Sequence, residues 1–507
     1  MARHDVAAAI THAVAWRPAA FDQTDPLNYR LAWLPRNDAG NAERLLSRFG
    51  NDLLYVQDIG WAWWDGRRWS LEMGYTMANR LAHETVRHIY DEVQALQDAI
   101  GDKEVRDIQE IETHFKWAGA SGNAQRINAM INICQHYCVR RPSDLDANPM
   151  LLNVANGTLE LDDPILSGAS RPRRSHLITK VIEVDYDPDA TCPNFLRFME
   201  DILPDPEVRL FLQRSFGYAL TGLIDEQVLW FFYGTGANGK STLVNIMARM
   251  LGSYCMSLPF SSLVLDERKR GESASPDLAR LPGARMVRAS EPEKGVKFSE
   301  STIKSITGGE PLTVRHLNQG FFEFTPSFKL FLSGNHKPVI RGQDHGVWRR
   351  INLVPFTVSI ARDKRDPGLE NKLWEERSGI LNWLLDGLRM WRRSGLCPPE
   401  AVVAATREYR EDSDPLGLFL NAWTEAHEAG SVQGKRLFDA YALWCRGNAV
   451  EPMSNTLFGR MLGERGLQKD RCGIITYRGI QLRQDALDAL DEADRKRIAR
   501  SPRDEDR

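Results

Sequence analysis

A glycine-rich loop near the middle of the chain constrains the fold more than any other feature. Within FFYGTGANGKSTLVNIM, residues 231–247, one glycine is followed by four residues and then by Gly-Lys-Ser, which is the Walker A spacing. Such a loop wraps its backbone N–H groups around phosphate, its lysine contacts the β- and γ-phosphates, and its serine hydroxyl is a ligand of Mg²⁺. The predicted nucleotide-binding residues are Gly234, Thr235, Gly236, Ala237, Asn238, Gly239, Lys240, Ser241 and Thr242.

The segments on either side have the pattern that this loop requires. Residues 228–233 form an uninterrupted apolar and aromatic run, typical of a strand buried on both faces of a parallel sheet. After Lys240, apolar residues recur at helical spacing as far as Gly252, a typical C-cap residue. The sequence therefore predicts an α/β domain that binds ATP and Mg²⁺. Because kinases, GTPases, transporters and ring motors share this loop, its use must be argued from other segments.

Length and composition indicate a multidomain protein of ordinary globular character. The 507 residues correspond to roughly three or four domains, and 42% are apolar and 26% charged. No apolar run approaches the ~20 residues of a membrane span, and MARHDVAAAITHAVAW lacks the features of a secretory signal. We therefore expect a cytoplasmic protein without membrane contact. Cysteines are scattered, and the one close pair, Cys134 and Cys138, is expected in a helical core rather than on a metal.

The region before the loop is predicted to combine a hairpin with a helical layer. NAERLLSRFG reads as a helix, and Asp65-Gly66 between tryptophan-rich segments favours a type I′ turn. The spacing of Trp61 and Trp63 places them on one sheet face, where we expect burial rather than stacking on nucleic-acid bases. Residues from about 75 to 140 repeat at helical period.

Turn residues and basic residues dominate the connection to the phosphate-binding domain. SGASRPRRSH, residues 167–176, has loop composition. Its arginines, Arg171, Arg173 and Arg174, could contact phosphate, but a short charge run is more typical of a solvated loop. A domain boundary is expected near residue 190.

Polar residues follow several predicted elements after the loop. Residues 285–290 are a candidate strand ending at Glu291, where a carboxylate would assist a phosphate-bound Mg²⁺. STIKSITGGE reads as a helix and LTVRHLNQGFFEF as a hairpin, and FKLFLSGNHKP reads as a strand ending on Asn335. That asparagine would be well placed to orient the attacking water. Arg349 and Arg350 precede a last apolar strand.

These elements resemble superfamily 3 helicases, specifically the poxvirus-type and phage or plasmid primase-helicase branch. The matching segments are GTGANGKST, ASEPEKG, IKSITGGE, LFLSGNHKP and WRRINLVPF, in the family's order. Weaker likeness extends through NAERLLSRFG, GWAWWDGRRW, LLNVANGTLEL and EYREDSDPLGLFL, so that it spans roughly residues 38–480. Five ordered motifs are far more specific than one loop.

The resemblance implies a ring, expected to be a hexamer, with nucleotide bound between subunits. Its catalytic residues would be Lys240, Glu291 as the Walker B carboxylate and Mg²⁺ ligand beside Ser241, Asn335 as sensor, and Arg350, with Arg349 as the alternative, as an arginine finger acting on the neighbouring subunit. The residues expected to hold single-stranded DNA in the channel are Lys304, Arg315 and His316, for which exposed cations without a ligand are an equal alternative.

The sequence departs from the family pattern in two places. Arg288 interrupts the Walker B strand and no Asp precedes Glu291, so the acidic role could move to Glu293. Only residues 1–37 precede the likeness, and the acidic pairs Asp144/Asp146 and Asp162/Asp163 lie inside the helicase-associated region. We therefore expect no primer synthesis by this chain and a separate primase as a partner.

The part after residue 396 is predicted to be a winged-helix-like module. Its amphipathic helices and terminal hairpin are compatible with that fold, and a protein-docking module is the rival interpretation. The cations expected to approach DNA there are Arg460, Arg465, Lys469 and Arg471. The charged tail is predicted to be disordered.

The predicted fold class is multidomain α/β, with a central AAA+-like P-loop helicase domain, an α+β N-terminal domain and a small C-terminal winged-helix-like domain. The expected limits are 1–37 for an extension, 38–165 for the helicase-associated domain, 166–190 for a linker, 191–395 for the ATPase, 396–485 for the C-terminal domain and 486–507 for the tail. The expected function is an ATP-dependent replicative helicase of phage, prophage or plasmid type, acting on single-stranded and forked DNA. An NTP-switched replication initiator that assembles without unwinding, and a small-molecule phosphotransferase, remain alternatives.

Overall fold

The structure begins with helices packed on a small sheet. The computed structural model describes residues 26–99, 105–163, 168–264, 276–290, 297–315, 320–340, 345–448, 450–470 and 473–500. The sheet has the order β3-β2-β1-β4, with β1 antiparallel to β2 and parallel to β4. The elements of this region are α1 (Leu27–Ala32), α2 (Asp38–Phe49), β1 (Leu53–Val56), β2 (Gly60–Trp64), β3 (Trp69–Ser70), α3 (Gly74–Ala99), α4 (Val105–Ser121), α5 (Ala124–Gln135) and β4 (Val139–Arg140).

The predicted tryptophan hairpin is confirmed, but its turn is not type I′, because Gly66 has a φ of +97° whereas the φ of Asp65 is not positive. The Asp65 carboxylate accepts the backbone N–H groups of Arg67 and Arg68, both at 2.8 Å, and this closes the turn between β2 and β3. Trp61 and Trp63 pack in the same cluster beside the helices, and Trp64 and Trp69 pack on the opposite face. The aromatic side chains of the hairpin are therefore mainly core, as their alternation predicts.

A buried ionic cluster joins the helices of this region. Glu92 is fully buried on α3 and accepts hydrogen bonds from Arg44 at 2.8 Å and from Arg48 at 2.9 Å, and His114 lies 3.2 Å from it. Burial by itself would raise the pKa of the Glu92 carboxyl, but the contacts with His114 and the two arginines outweigh it and hold that pKa below its usual range. The cluster therefore depends on an ionised carboxylate.

The predicted linker is packed over much of its length. A hairpin, β5 (Leu151–Val154) and β6 (Gly157–Glu160), is followed by residues 178–184, whose apolar side chains are buried. Val154 forms a parallel bridge with Ile182, and both lie in the same hydrophobic cluster as the helix after the phosphate loop. Residues 178–184 of the predicted linker, 166–190, therefore belong to the core, because their apolar side chains lie in the same hydrophobic cluster as the hairpin.

The central sheet is parallel, five-stranded and has the order β13-β7-β12-β9-β8. Along β7, Trp230 and Phe232 enter one hydrophobic cluster and Leu229 and Phe231 the other, so the strand is buried on both faces. This confirms the prediction from its continuous apolar run. The strands in and beside this sheet are β7 (Leu229–Tyr233), β8 (Cys255–Ser257), β9 (Met286–Ser290), β10 (Leu312–Val314), β11 (Phe322–Phe324), β12 (Lys329–Gly334) and β13 (Ile351–Pro355).

Helices cover both faces of this sheet. The helix after the phosphate loop packs on one face, and the helix that precedes the β10–β11 hairpin packs on the other. The helices of this part are α6 (Pro193–Ile202), α7 (Pro206–Tyr218), α8 (Lys240–Leu251), α9 (Pro276–Ala279), α10 (Glu300–Gly308), α11 (His345–Trp348), α12 (Leu369–Glu375), α13 (Arg377–Ser394) and α14 (Glu400–Asp412). The result is a mixed α/β protein built around a parallel sheet.

A separate hydrophobic cluster organises the C-terminal part. Its antiparallel sheet has the order β14-β16-β15. Residues 484–500 are helical, with Ala486 and Leu490 in this cluster, so the prediction of a disordered tail is wrong for residues 486–500. The elements are α15 (Pro415–Trp423), β14 (Thr424–Gln433), α16 (Gly434–Gly447), α17 (Asn455–Glu464), β15 (Lys469–Asp470), β16 (Thr476–Leu482) and α18 (Gln484–Arg500).

The segment after β12 contacts the helix that leads into the C-terminal part. The Tyr409 hydroxyl donates to the Pro338 carbonyl, and Lys337 Nζ lies 3.1 Å from the Asp412 carboxylate. The same ammonium lies 5.2 Å from the centre of the Tyr233 ring. Residues next to the phosphate loop are thereby tied to α14.

None of the described helices combines the length and apolarity that a membrane span requires.

Candidate nucleotide-binding and catalytic site

Two glycines of the phosphate loop adopt backbone conformations that residues with a Cβ atom rarely adopt. Gly236 and Gly239 have φ values of +103° and +80°, and Ala237 has a φ of +50°. A Cβ atom on Gly239 would lie 2.3 Å from Cγ2 of Ile202, so a larger residue would collide with α6. The Ile360 N–H donates to the Ala237 carbonyl at 2.7 Å and holds the loop from the other side. The sequence therefore needs glycine at position 239 for both conformation and space.

Lys240 and Asn335 meet at the mouth of this loop. The Lys240 ammonium donates to the Gly234 carbonyl at 2.7 Å, to Asn238 Oδ1 at 3.1 Å and to Asn335 Oδ1 at 3.3 Å. These two predicted site residues are 95 positions apart in sequence, and parallel pairing of β12 with β7 brings them together. The Lys240 side chain is itself largely buried, at 5% exposure. A cation is thus held by oxygen atoms at the carboxyl edge of the sheet.

A cleft of about 560 Å³ lies beside this contact. Its walls include the loop, the exposed Ser241, and the polar residues Arg288, Ser290 and Asn335 from the neighbouring strands. Backbone N–H groups of the loop, a lysine and a hydroxyl are the donors that a nucleotide phosphate requires. The donors of the cleft therefore suit a phosphate-bearing ligand.

The two acidic candidates follow strand β9 in the sequence. The predicted strand is present as β9, but Glu291 and Glu293 lie outside the described residues. The choice between them stays a prediction. β12 lies between β7 and β9, and Ser290, the last described residue of β9, is in register with Ser333, two residues before the asparagine.

Arg288 lies inside the cleft, which the sequence pattern did not indicate. Its Nη1 donates to Asn245 Oδ1 on α8 at 2.8 Å and its Nε donates to Ser257 Oγ on β8 at 2.9 Å. The sequence suggested only that an arginine interrupts an apolar strand. Alternation along β9 places its side chain on the same face as Met286, which packs toward α8.

The two adjacent arginines before β13 have different environments. Arg350 is 9% exposed and donates to Thr307 Oγ1 at 3.1 Å and to the Gly346 carbonyl at 2.6 Å. Arg349 is exposed, and its Nη2 donates to Gln227 Oε1 at 3.1 Å. Ile351 pairs with Leu229, the first residue of β7, so both arginines lie at the edge of the sheet opposite the phosphate loop. The structure therefore keeps them away from the nucleotide cleft of their own chain.

The predicted DNA-contacting residues fall on or near the β10–β11 hairpin. Lys304 is half-buried on α10, and Arg315 follows β10, whereas His316 lies outside the described residues. The Arg315 guanidinium lies 4.6 Å from the centre of the Phe321 ring, and Phe321 is 54% exposed. The sequence analysis missed this aromatic residue, although FF beside Gly320 at a hairpin was a visible signal.

The remaining predicted cations and acids have local partners or exposed positions. Arg465 pairs with Asp414, and Arg460 lies 3.7 Å from Glu464. Lys469 is exposed, and Arg471 lies outside the described residues. Of the acidic pairs, Asp144 accepts the Arg141 N–H and Asp146 accepts the Thr179 N–H, whereas Asp162 and Asp163 end the hairpin segment.

Comparisons with known proteins match two parts of this chain to protein families. The model of the family described as "D5 N terminal like" matches residues 42–204, and that of a family of unknown function, DUF5906, matches residues 232–350. The "Putative helicase L207/L206" of Acanthamoeba polyphaga mimivirus is 30% identical over 296 residues, which cover 55% of this chain and 31% of that protein. The "Putative primase C962R" of African swine fever virus (strain Badajoz 1971 Vero-adapted) is 25% identical over 329 residues, which cover 60% of this chain and 34% of that protein.

Among solved structures, the apo A form of the NrS-1 C-terminal region is similar at 11% identity and a TM-score of 0.35, over 62% of this chain and 87% of that chain. The chain spans about a third of the length of the two viral relatives. The resemblance that the ordered motifs predict is confirmed by the family match and the viral relatives. Residues 42–204 of this chain are therefore similar to the D5 N terminal like family, and the chain is similar to proteins of large DNA viruses that are named "putative helicase" and "putative primase".

Proposed function

We propose that this protein is an ATP-hydrolysing DNA helicase that moves along single-stranded DNA as a ring. The observation that carries the proposal is the contact of the Lys240 ammonium with Asn335 Oδ1 at the edge of a cleft lined by the phosphate loop. A lysine that holds phosphate and an amide that orients water, each following one of two adjacent strands, are the arrangement that phosphoryl transfer to water needs. The names of the viral relatives support the choice of helicase over a small-molecule phosphotransferase.

Within this proposal, ATP supplies the transferred phosphoryl group and Mg²⁺ neutralises charge on its oxygens. The loop N–H groups and Lys240 would hold the phosphates, and the Ser241 hydroxyl with Glu291, or Glu293, would hold the metal. Asn335 would orient a water molecule, because its side-chain oxygen already lies beside the lysine. The order β13-β7-β12-β9-β8, with the asparagine strand between the loop strand and the acidic strand, supports an AAA+-like ATPase domain.

We assign the trans-acting arginine to Arg349 and a positioning role to Arg350. Arg349 is exposed at the sheet edge away from its own cleft, where a neighbouring subunit's nucleotide could lie. Arg350 is buried, and its hydrogen bond to Thr307 fixes the end of α10. The sequence analysis preferred Arg350 as the arginine finger and kept Arg349 as the alternative, so this assignment adopts the alternative. Because Arg350 is adjacent to Arg349 and bonds Thr307, it connects the proposed interface arginine to α10, the helix that precedes the proposed DNA-contacting hairpin.

The β10–β11 hairpin is the proposed contact with single-stranded DNA. Arg315 would neutralise a phosphate, and the exposed Phe321 ring beside it would stack on a base. The C-terminal part, with α16, α17 and the β15–β16 hairpin, is proposed as a winged-helix-like module. Its exposed Lys469 and Arg460 are the side chains that DNA would meet there.

Strand displacement on a forked duplex tests this function. The purified protein with ATP and Mg²⁺ should separate a labelled fork, and single-stranded DNA should stimulate its ATPase activity. Lys240→Ala should do neither. A protein that binds DNA and hydrolyses ATP but never separates the fork would be the initiator-type alternative, and hydrolysis indifferent to DNA would contradict both.

A further inference from the structure

A second cleft lies in the N-terminal region, far in sequence from the phosphate loop. Its volume is about 570 Å³, and it is formed where the end of α2 and strand β1 meet the segment around residues 137–140 and the loop around residue 174. The described residues that line it include two arginines, Arg140 and Arg174, and no acidic side chain. The cleft is therefore a concave surface with a positive rim.

Aromatic side chains complete this cleft. Tyr137 is 48% exposed and stands at its edge, whereas Trp69 is 2% exposed and forms part of its wall. The Trp69 indole N–H donates to the Arg174 carbonyl at 3.0 Å, which fixes the wall to the arginine-bearing loop. A buried tryptophan in the wall and an exposed tyrosine at the edge distinguish this cleft from an exposed loop that carries only charged residues.

The charge of the rim is only partly neutralised within the chain. Arg174 pairs with Asp52, whereas the described residues provide no carboxylate within 4 Å of Arg140, whose Nη1 donates to its own neighbour, the Val139 carbonyl. Arg171 and Arg173 are exposed on the same loop as Arg174. A ligand with regularly spaced negative charges would meet several cations here.

We infer that this N-terminal cleft binds single-stranded DNA. Arg140 and Arg174 contact phosphates, and the Tyr137 ring stacks on a base, because a base that is not paired can enter a concave cleft. Paired bases in a duplex cannot do so without opening. The path of the strand rests on the proposed function: the site lies outside the nucleotide cleft and the β10–β11 hairpin, so it would hold the strand before it enters the proposed ring or after it leaves.

Cross-linking locates the strand directly. The full-length protein is irradiated with a thymidine strand of about 12 nucleotides that contains a photoreactive iodinated uracil, a length that one such groove can accommodate. A cross-link at Tyr137 or in the peptides around residues 137–140 and 174 is expected. If cross-links form only at the β10–β11 hairpin and the C-terminal part, the inference is overturned.

Matched variants test the chemistry of the site. Arg140→Gln should weaken binding of the strand roughly three- to tenfold at low salt and reduce the slope of log affinity against log salt by about 0.7, the loss of one phosphate contact. Tyr137→Ala should weaken binding without changing that slope. The controls are Arg87→Gln and Tyr75→Ala, exposed positions on α3 that should bind as the wild type does.

Basal ATPase activity separates this inference from the proposed function. Both cleft variants should hydrolyse ATP at the wild-type rate without DNA, because neither residue lies in the nucleotide cleft. A chain that fails to unwind DNA but cross-links at Tyr137 would retain this site. Unchanged affinity and slope in Arg140→Gln, or equal binding of an acidic peptide at this cleft in competition, would overturn it.

Discussion

The lysine of the phosphate loop is held by three oxygen atoms of its own chain, which bears on what its removal does. Lys240→Ala should lower ATP hydrolysis by on the order of 10²–10³-fold, because a preorganised cation would be lost from the transferring phosphate. The folded state should persist, since Asn238 and Asn335 line the cleft, where water can replace the ammonium as their hydrogen-bond donor. Hydrolysis by the purified variant, with its circular dichroism spectrum, checks this.

The control for that variant is Lys372→Ala. Lys372 is an exposed lysine that pairs with Asp366 on the surface, and its loss should leave hydrolysis unchanged. Wild-type turnover by Lys240→Ala would show that the loop does not bind the phosphates.

Adjacent arginines before β13 should respond differently to the same substitution. Arg349→Ala should retain the melting temperature and ATP binding but hydrolyse ATP poorly, because an exposed cation would be lost from the neighbouring site. Arg350→Ala should unfold at lower temperature, by an amount equivalent to about 1–3 kcal/mol, because Thr307 and the Gly346 carbonyl lose a buried donor. Melting curves and turnover of the two variants distinguish these outcomes.

Mixing experiments test whether Arg349 acts between subunits. Rings that contain both Arg349→Ala and Lys240→Ala subunits have some interfaces with an intact lysine and an intact arginine, so part of the activity should return. A trans arginine contributes on the order of 10³-fold or more, so a few repaired interfaces suffice for detection. Mixed rings that form but stay inactive would mean that Arg349 does not act in trans.

At the scale of elements, the β10–β11 hairpin should carry separable contributions to DNA binding. Arg315→Ala together with His316→Ala should weaken binding of single-stranded DNA and flatten its salt dependence, because fewer phosphates are neutralised. Phe321→Ala should weaken binding with little change in the salt slope, because stacking releases no counterions. Titrations at several salt concentrations measure both quantities, with Phe115→Ala, an exposed aromatic residue on α4, as the control.

The ionic cluster between α2, α3 and α4 should make the N-terminal region sensitive to acid. The pKa of Glu92 is lower in the folded chain than in the unfolded one, so the stability that its ionisation provides is complete above the unfolded pKa of about 4.3. That stability is lost as the pH falls through the lower folded pKa. Acid unfolding followed by tryptophan fluorescence should show this loss, and Glu92→Gln should be destabilised already at neutral pH.

A matched comparison keeps that prediction testable. Glu84→Gln changes an exposed carboxylate on the same helix and should leave the acid transition where it is in the wild type. An acid transition that is the same in Glu92→Gln and the wild type would contradict the role of the cluster.

Elements with strong local patterns were predictable from the sequence, and elements whose burial depends on distant partners were not. The strand before the phosphate loop, the helix after it and the turn at Asp65 follow from apolar periodicity and turn chemistry. The burial of residues 178–184 was not predictable, because Lys180 and Glu183 interrupt their short apolar pattern. These residues become core only where Ile182 forms a bridge with Val154. The helix at residues 484–500 was not predictable, because the segment has many charged residues and only a few apolar ones that pack on the C-terminal cluster.

The candidate site shows the same division. The phosphate loop and Asn335 could be named from motifs, because each motif is contiguous. Which of Arg349 and Arg350 points inward could not, since two adjacent arginines before a strand have the same local pattern. Arg288 was read as an irregularity, because its partners Asn245 and Ser257 come from elements that only the folded sheet brings together.

For the whole molecule, the short run from Asn335 to Pro338 has a mechanical consequence. One end of it touches the lysine of the phosphate loop, and the other is fastened to α14 by the Tyr409 hydroxyl and the Asp412 carboxylate. A connection of four residues can change little in length, so a shift of the asparagine during ATP turnover would also displace the helix that leads to the C-terminal part. Motion of the C-terminal part would then be coupled to ATP hydrolysis. Attaching a bulky protein to that part should slow hydrolysis. Removing the two contacts with Tyr409→Phe and Asp412→Asn should restore the rate of hydrolysis in the protein that carries the attachment.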